Sequence, residues 1–347
     1  MSRSITKMHF PSQMIIAGDF HQAVQALPGK RILIIGSDRS CALANWQALL
    51  PAAQVEVFNG SLPHSPEDVL LKATDLAESF DPDTYIAIGS GSAIDLAKAV
   101  VDAKPAEIVA IPTSLGGGEM TNVYGTRMQR GTKEGKGGLK YLPAKVFYDP
   151  ALLASLPKLE MAASGINSFA HCIEAFYSTR SHWFGKAAAA QAGRMWPELL
   201  LAAKDSPIDE TLGQRLFEAA SLAGFAINTC GLGLHHAVCH VVGGATGVTH
   251  GVINAIALPK SLKINREIAP EALRAAEIAL GIDDLVAFSE RLVAQLELPK
   301  NLKALSIPNT PLEPLVDALM GAHHLKFNPG TLDRVRAQRL MTEVFSG

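Results

Sequence analysis

Up to about residue 148, short apolar runs alternate with amphipathic stretches; beyond Tyr148-Asp149-Pro150 that alternation stops and long alanine- and leucine-rich segments take over. The runs Arg31–Ile35, Gln54–Phe58, Thr84–Ile88 and Glu107–Ile111 read as strands, each ending at a glycine or proline turn. Strands separated by helical stretches predict a parallel sheet with crossover helices. One such helix is expected over residues 65–79, with Ser65 as its cap, Pro66 in the first turn, and Glu67 and Asp68 at its positive end. The later segments have helical periodicity and no convincing strand. The expected fold is therefore an α/β N-terminal domain with a parallel sheet, followed by an all-α C-terminal domain. The boundary is placed near Leu156-Pro157, giving units 1–156 and 157–347, with a ligand cleft between them.

Composition narrows the function classes. The formal charge of the 347-residue chain is -2, and no basic patch stands out, which argues against a nucleic-acid or polybasic membrane partner. No run of eighteen apolar residues suggests a bilayer span, and the N-terminus lacks the apolar core and cleavage site of a signal peptide. Cys41, Cys172, Cys230 and Cys239 form no C-x-x-C pair, so reduced thiols are expected. A cytoplasmic enzyme with a small-molecule substrate fits these features.

Two strand exits carry glycine loops. Ile88-Gly-Ser-Gly-Ser-Ala-Ile-Asp-Leu-Ala-Lys98 passes from a strand through a turn into a helix, where first-turn N–H groups and the helix dipole favour an anion such as a pyrophosphate. The third glycine of a G-x-G-x-x-G fingerprint would fall at Ile94 and is absent, so a dinucleotide would be held differently. The next exit, Ile111-Pro-Thr-Ser-Leu-Gly-Gly-Gly-Glu-Met-Thr121, repeats the theme with hydroxyls. Either loop alone could be a plain turn. Two at neighbouring strand ends favour a ligand site.

Histidines cluster in the helical half. His236 and His240 are four apart and share one helical face. Gly243, Gly244 and Gly247 are expected to break the helix and let His250 fold back toward them. Asn167 and His171 have the same four-residue interval, and together the two segments look like a split metal site. A single histidine on an apolar helix is usually a core residue with one hydrogen-bond partner. Several converging from two segments point instead to a functional cluster.

These motifs, in this order, resemble the iron-containing (group III) alcohol dehydrogenase superfamily over nearly the whole chain, and most closely its maleylacetate reductase branch. Gly89 to Lys98 matches G-G-G-S-x-x-D-x-A-K, with Ser90 in place of the middle glycine and Asp95 at the acidic position. Pro112 to Glu119 matches P-T-T-x-x-G-x-x-E, Gly165 to Glu174 matches G-x-D-A-x-x-H-x-I-E, and His236, His240 and His250-Gly251 match H-x-x-x-H and P-H-G. The run from Gly233 to His240, Glu119-Met-Thr121, Val123-Tyr-Gly125 and Asn167 lean toward the reductase branch.

The resemblance implies a dehydroquinate synthase-like fold, a homodimer, and NADH or NADPH lying across the strand ends. Gly89, Gly91 and Ser92 would hold the pyrophosphate, Asp95, Thr113, Ser114 and Gly116 would line the cofactor, and Lys133 would lie near the nicotinamide ribose. Ser37 with Arg39 would admit NADPH, whereas Asp38 would select NADH. His171, His236, His240 and His250 would surround the reacting carbon with His240 or His236 as the acid, and Arg127 and His64 would meet substrate carboxylates. Asn167 replaces the family's metal-binding aspartate, so a metal is not expected to be required; if one is bound, His171, His236 and His250 with Asn167 would hold it. The implied reaction reduces maleylacetate or a related unsaturated oxo acid to a 3-oxoadipate-type product. A metal-dependent dehydrogenase of a small alcohol or aldehyde, favoured by Asp95 and His250-Gly251, and a non-redox enzyme on the same fold, suggested by Gly118 and Asn167, are the alternatives.

Overall fold

A computed structural model describes residues 13–16, 18–128, 133–307 and 310–346. Six strands form one parallel sheet: β1 (Gln13–Ile16), β2 (Arg31–Ile35), β3 (Gln54–Phe58), β4 (Thr84–Gly89), β5 (Glu107–Pro112) and β8 (Lys145–Tyr148), in the order β1-β8-β5-β4-β2-β3. A separate antiparallel hairpin joins β6 (Val123–Arg127) to β7 (Lys133–Gly137). The four strands read from the sequence are present within a residue or two. β1, β8 and the hairpin add to them, because two four-residue strands and a glycine-rich ribbon lack a long apolar run.

The central strands are apolar throughout because both faces of the sheet are covered. Leu33, Ile35, Tyr85 and Ala87 pack on the side of α4 (Glu67–Phe80) and α5 (Gly91–Val100). Ile32, Ile34, Ile86 and Ile88 pack with Phe20 and Trp46, from α1 (Phe20–Gln25) and α3 (Trp46–Leu49), which flank the one-turn α2 (Asp38–Cys41). Ser65 does not cap α4. That helix begins at Glu67 with no side-chain cap, while Ser65 sits at φ 45° and donates its hydroxyl to Ser92 O at 2.9 Å. The expected cap is a brace for the first glycine loop instead.

After the one-turn α6 (Ala151–Ala154) the chain is helical: α7 (Lys158–Tyr177), α8 (Trp183–Asp205), α9 (Glu210–Cys230), α10 (Leu234–Thr246), α11 (His250–Ile268), α12 (Pro270–Leu280), α13 (Leu285–Gln295), α14 (Leu312–Met320) and α15 (Arg334–Ser346). α7 is buried almost all round, which explains its lack of a polar face. Among the described residues no helix is long and apolar enough to cross a membrane.

Gly243 and Gly244 do not break α10, which runs through both and ends at Gly247 in the left-handed conformation, φ 70°. The missing side chain of Gly243 serves packing: a Cβ there would lie 3.2 Å from His64 Cε1 and 3.3 Å from Ile253 Cδ1. The fold-back to His250 is made by the short link between α10 and α11 alone.

Candidate active site

Gly89 and Pro112 are paired across β4 and β5, so the two glycine loops leave the sheet side by side. The register continues into the first loop residue, with Thr113 N donating to Gly89 O at 2.9 Å. Gly89 has φ 142°, a conformation side chains rarely adopt, and a Cβ there would meet Ala93 Cβ at 3.1 Å. α5 then starts at Gly91 after an N-cap, Ser90, that makes no side-chain cap, leaving the first-turn N–H groups of the helix as anion donors.

The second loop is not a flexible tether. Leu115 N donates to Ser164 Oγ at 3.3 Å, and Ser168 Oγ donates to Leu115 O, which ties the loop to α7. Gly117, at φ 70°, meets α9 so closely that a Cβ would lie 2.9 Å from Gly224 Cα. Lys98 fastens the far end, its amine donating to Gly118 O, Thr121 O, Thr121 Oγ1 and Val123 O at 2.7 to 3.0 Å. Burial pulls this amine down to about 8, against the pull of Asp95 and Glu119. Glu119 is itself buried, pushed up by desolvation, and accepts from Tyr148 Oη at 2.9 Å. The lysine and glutamate of the two motifs thus shape the loop from behind.

Three helices supply the opposite wall. α7 presents Asn167, His171 and Glu174 at intervals of four and three, α10 presents His236 and His240, and α11 opens with His250. Glu174 is the hub: it accepts from His236 Nδ1, from Gly233 N and Tyr177 Oη at 2.9 Å each, and from His236 N at 3.4 Å. Held this way, His236 turns Nε2 toward Asn167 Oδ1, 3.0 Å away, and stacks on the His171 ring at 4.7 Å. Ring centroids separate His236 from His240 by 6.2 Å, His236 from His250 by 5.6 Å, and His240 from His250 by 5.7 Å. Burial and the neighbouring His236 hold His171 well below the usual imidazole value, so it is neutral.

The structure brings Asn167, His171, His236, His240 and His250 together, and the second loop reaches them: Asn167 Nδ2 donates toward Gly116 O at 3.5 Å. A Cβ on Gly118 would lie 3.8 Å from Gly91 Cα, so one line of close neighbours runs from the first glycine loop to the imidazoles. Ser37 caps α2 through Ser40 N, and Asp38 Oδ1 accepts from Asn59 Nδ2 at 2.5 Å, both beyond the end of β2. Asp95 faces the hairpin, its Oδ2 accepting from Gly125 N at 3.3 Å.

His64 and Arg127 brace the link before His250. His64 Nε2–H donates to Val248 O at 2.8 Å, and Arg127 Nε–H donates to Gly244 O at 3.1 Å. Arg39 donates to Ser155 O. The Lys133 side chain lies outside the described residues. Two participants were given no role from the sequence: Glu174, although it closes the Gly165–Glu174 motif, and His324, whose Nε2 is 3.2 Å from His240 Nδ1 and which has no local signal.

Sequence models of the iron-containing alcohol dehydrogenase family match residues 12–150, and of its C-terminal region residues 161–345. The chain is 35% identical over 223 residues to maleylacetate reductase 2 of Cupriavidus pinatubonensis, spanning 64% of this chain and 62% of that protein. It is 28% identical over 327 residues to maleylacetate reductase 1 of Rhodococcus opacus, covering 94% and 91% of the two chains. An iron-containing alcohol dehydrogenase from Corynebacterium glutamicum superposes with a TM-score of 0.86 at 27% identity, over 100% of this chain and 98% of that one.

These matches overturn the expectation that no metal is required, since both models are those of iron-containing enzymes. Among the described residues no three His, Cys, Asp or Glu side chains form a metal-holding group by themselves, His171, His236 and His250 included, so an ion here would need Asn167 as well. His236 gives Nδ1–H to Glu174 and turns Nε2 to the Asn167 carbonyl oxygen 3.0 Å away, so with Nε2 unprotonated the two atoms would share one cation. Buried His171 Nδ1 has no hydrogen-bond partner among the described residues. Glu174, which closes the same motif, raises the basicity of His236 from behind. Asn167, His171, His236 and His250 are the residues that would hold an ion, and the chain belongs to the iron-containing alcohol dehydrogenase family of oxidoreductases.

Proposed function

We propose that this chain is an NAD(P)H-dependent reductase of maleylacetate or a related unsaturated oxo acid. The observation that carries this reading is the line of neighbours from Gly91 through Gly118, Gly116 and Asn167 to His236, which puts the anion-binding loop and the imidazole cage on one cleft. The cleft lies between units 1–156 and 157–347. The reductases from Cupriavidus and Rhodococcus supply the substrate class, which calls for a small, anionic, conjugated ketone.

Gly89, Gly91 and Ser92 would hold the cofactor pyrophosphate on their main chain, with Asp95, Thr113, Ser114 and Gly116 lining the cofactor and Lys133 near the nicotinamide ribose. Ser37 and Asp38 would meet the adenosine ribose at the end of β2, where Asp38 favours NADH and a small Ser37 leaves room for the phosphate of NADPH. The bound nicotinamide would supply hydride to the carbon β to the ketone, and the substrate enolate then needs a proton. His171 is held neutral by burial, and both nitrogens of His236 already face partners, so His240 is assigned as the proton donor. His250 completes the polar wall around the developing negative charge. An ion held by Asn167, His171, His236 and His250 would supply a Lewis acid for the substrate oxygen. Arg127 and His64, in bracing the link to His250, set the mouth that receives the substrate carboxylates. The working protein is a cytoplasmic homodimer.

Iron-supplemented protein is expected to oxidise NADH or NADPH in the presence of maleylacetate. Failure to consume either cofactor with maleylacetate, while oxidising small alcohols with NAD, would replace this reading with that of an alcohol dehydrogenase.

A further inference from the structure

The His240–His324 contact joins residues 84 apart in the chain. His324 lies in a short 3-10 turn, His323–Phe327, that packs against α10. Long-range hydrogen bonds fix the turn: Thr179 N donates to Phe327 O at 2.8 Å, Leu234 N to Asn328 Oδ1 at 3.1 Å, and Asn328 Nδ2 to Asn265 Oδ1 at 2.9 Å. The His324 and His240 rings are 4.9 Å apart and steeply inclined at 74°, with Nε2 of one 3.2 Å from Nδ1 of the other. Nitrogens at that separation share one proton, donated by one ring to the lone pair of the next. The next ring outward, His323, is 6.0 Å from His324 and exposed. Exposure therefore rises along the series, from buried His236 through half-buried His240 and His324 to exposed His323.

A cofactor and substrate filling the cleft would cover His240 from the front. The contact with His324 opens a route from behind. We infer that His324 is a positioning residue that fixes the proton-donating form of His240 and carries protons to it from solvent during turnover. The inference rests on the reading of His240 as proton donor given above. In the step, hydride with its electron pair leaves the nicotinamide, which is oxidised, and forms a C–H bond at the substrate carbon, which is reduced. As His240 releases its Nε2 proton to the enolate, His324 passes its own Nε2 proton to His240 Nδ1 and takes one at Nδ1 from water, so neither ring becomes an anion and one solvent proton is consumed per hydride. After the product leaves, both rings return to the starting tautomer by proton exchange with solvent. No further oxidant or reductant is needed.

The test compares His324→Ala and His324→Gln with the wild-type protein, all supplemented with iron, for NADH binding, thermal midpoint, KM, kcat and the solvent deuterium isotope effect. Glutamine keeps an N–H donor for His240 but cannot pass a proton on. The expected result is wild-type cofactor binding and melting for both variants, with KM little changed. Both should lose kcat by roughly tenfold to a hundredfold, and the solvent isotope effect should rise. Added imidazole should restore turnover to the alanine variant. Wild-type kcat and isotope effect in His324→Gln, or an alanine variant that imidazole leaves unrestored, would overturn the relay while leaving the reductase reading intact. A wild-type protein that reduces no oxo acid would overturn both.

Discussion

The two walls of the cleft are built from different materials. On the sheet side the groups proposed to hold the ligand are main-chain ones, and the side chains that shape the loop, Lys98 and Glu119, work from behind. On the helical side almost everything is side chain: a carboxylate, an amide and a ring of imidazoles gathered from three helices and a distant turn. A main-chain site depends on glycine and on close approach, so any added atom disturbs it. A side-chain site depends on a hub, so its weak point is the partner that holds several others.

That contrast predicts where each wall breaks. Glu174→Ala should have the largest effect, because it strips the acceptor from His236, Gly233 and Tyr177 together in a buried setting. A loss of about 3–5 kcal/mol of stability is expected in chemical denaturation; a near-wild-type midpoint would show that Glu174 is not the hub. Gly224→Ala attacks the other wall, since a Cβ there would lie 2.4 Å from Gly117 O. It should cost about 1–3 kcal/mol and weaken NADH binding, whereas unchanged cofactor affinity would detach the second loop from the cofactor.

Asn167→Asp sharpens the comparison by moving a negative charge into the metal-facing set. Iron retained after gel filtration should rise roughly tenfold in affinity, and equal retention would mean that Glu174 already supplies all the charge the ion needs. The smallest effect is a slope with pH. His235 is fully buried beside Asn254 and pulled down to about 4, and His171 is also held low, so both are neutral in the folded protein. The unfolded chain binds more protons below about pH 6.5, and stability should fall on acidification from there toward pH 4 by roughly 1.4 kcal/mol per unit for each such group. A flat profile over that range would mean that one of them is charged in the fold.

The same contrast explains what could be read from the chain. The β4 and β5 exits were legible because a strand, a glycine turn and a helix are adjacent in sequence, and the i, i+4 pairs Asn167/His171 and His236/His240 were legible because a helix repeats. Gly243 and Gly244 misled, since α10 runs through both, and at Gly243 the close approach of His64 shows that glycine in a helix can serve packing as well as a break. Ser65 has the composition of a cap yet turns to Ser92. His324 carries no pattern at all; only folding brings it to His240. Asn167 read alone suggested a site without metal, whereas the family to which the chain belongs is one of iron-containing enzymes.

The claim on which the rest stands is that the glycine loops bind the cofactor and the imidazoles act on what it reduces. Measuring NADH affinity by fluorescence together with the single-turnover rate of maleylacetate reduction, for wild type and His240→Ala, tests it most directly. The account predicts unchanged cofactor affinity and a rate about a hundredfold lower. A variant that reduces maleylacetate at the wild-type rate, or that loses NADH binding along with turnover, would contradict it.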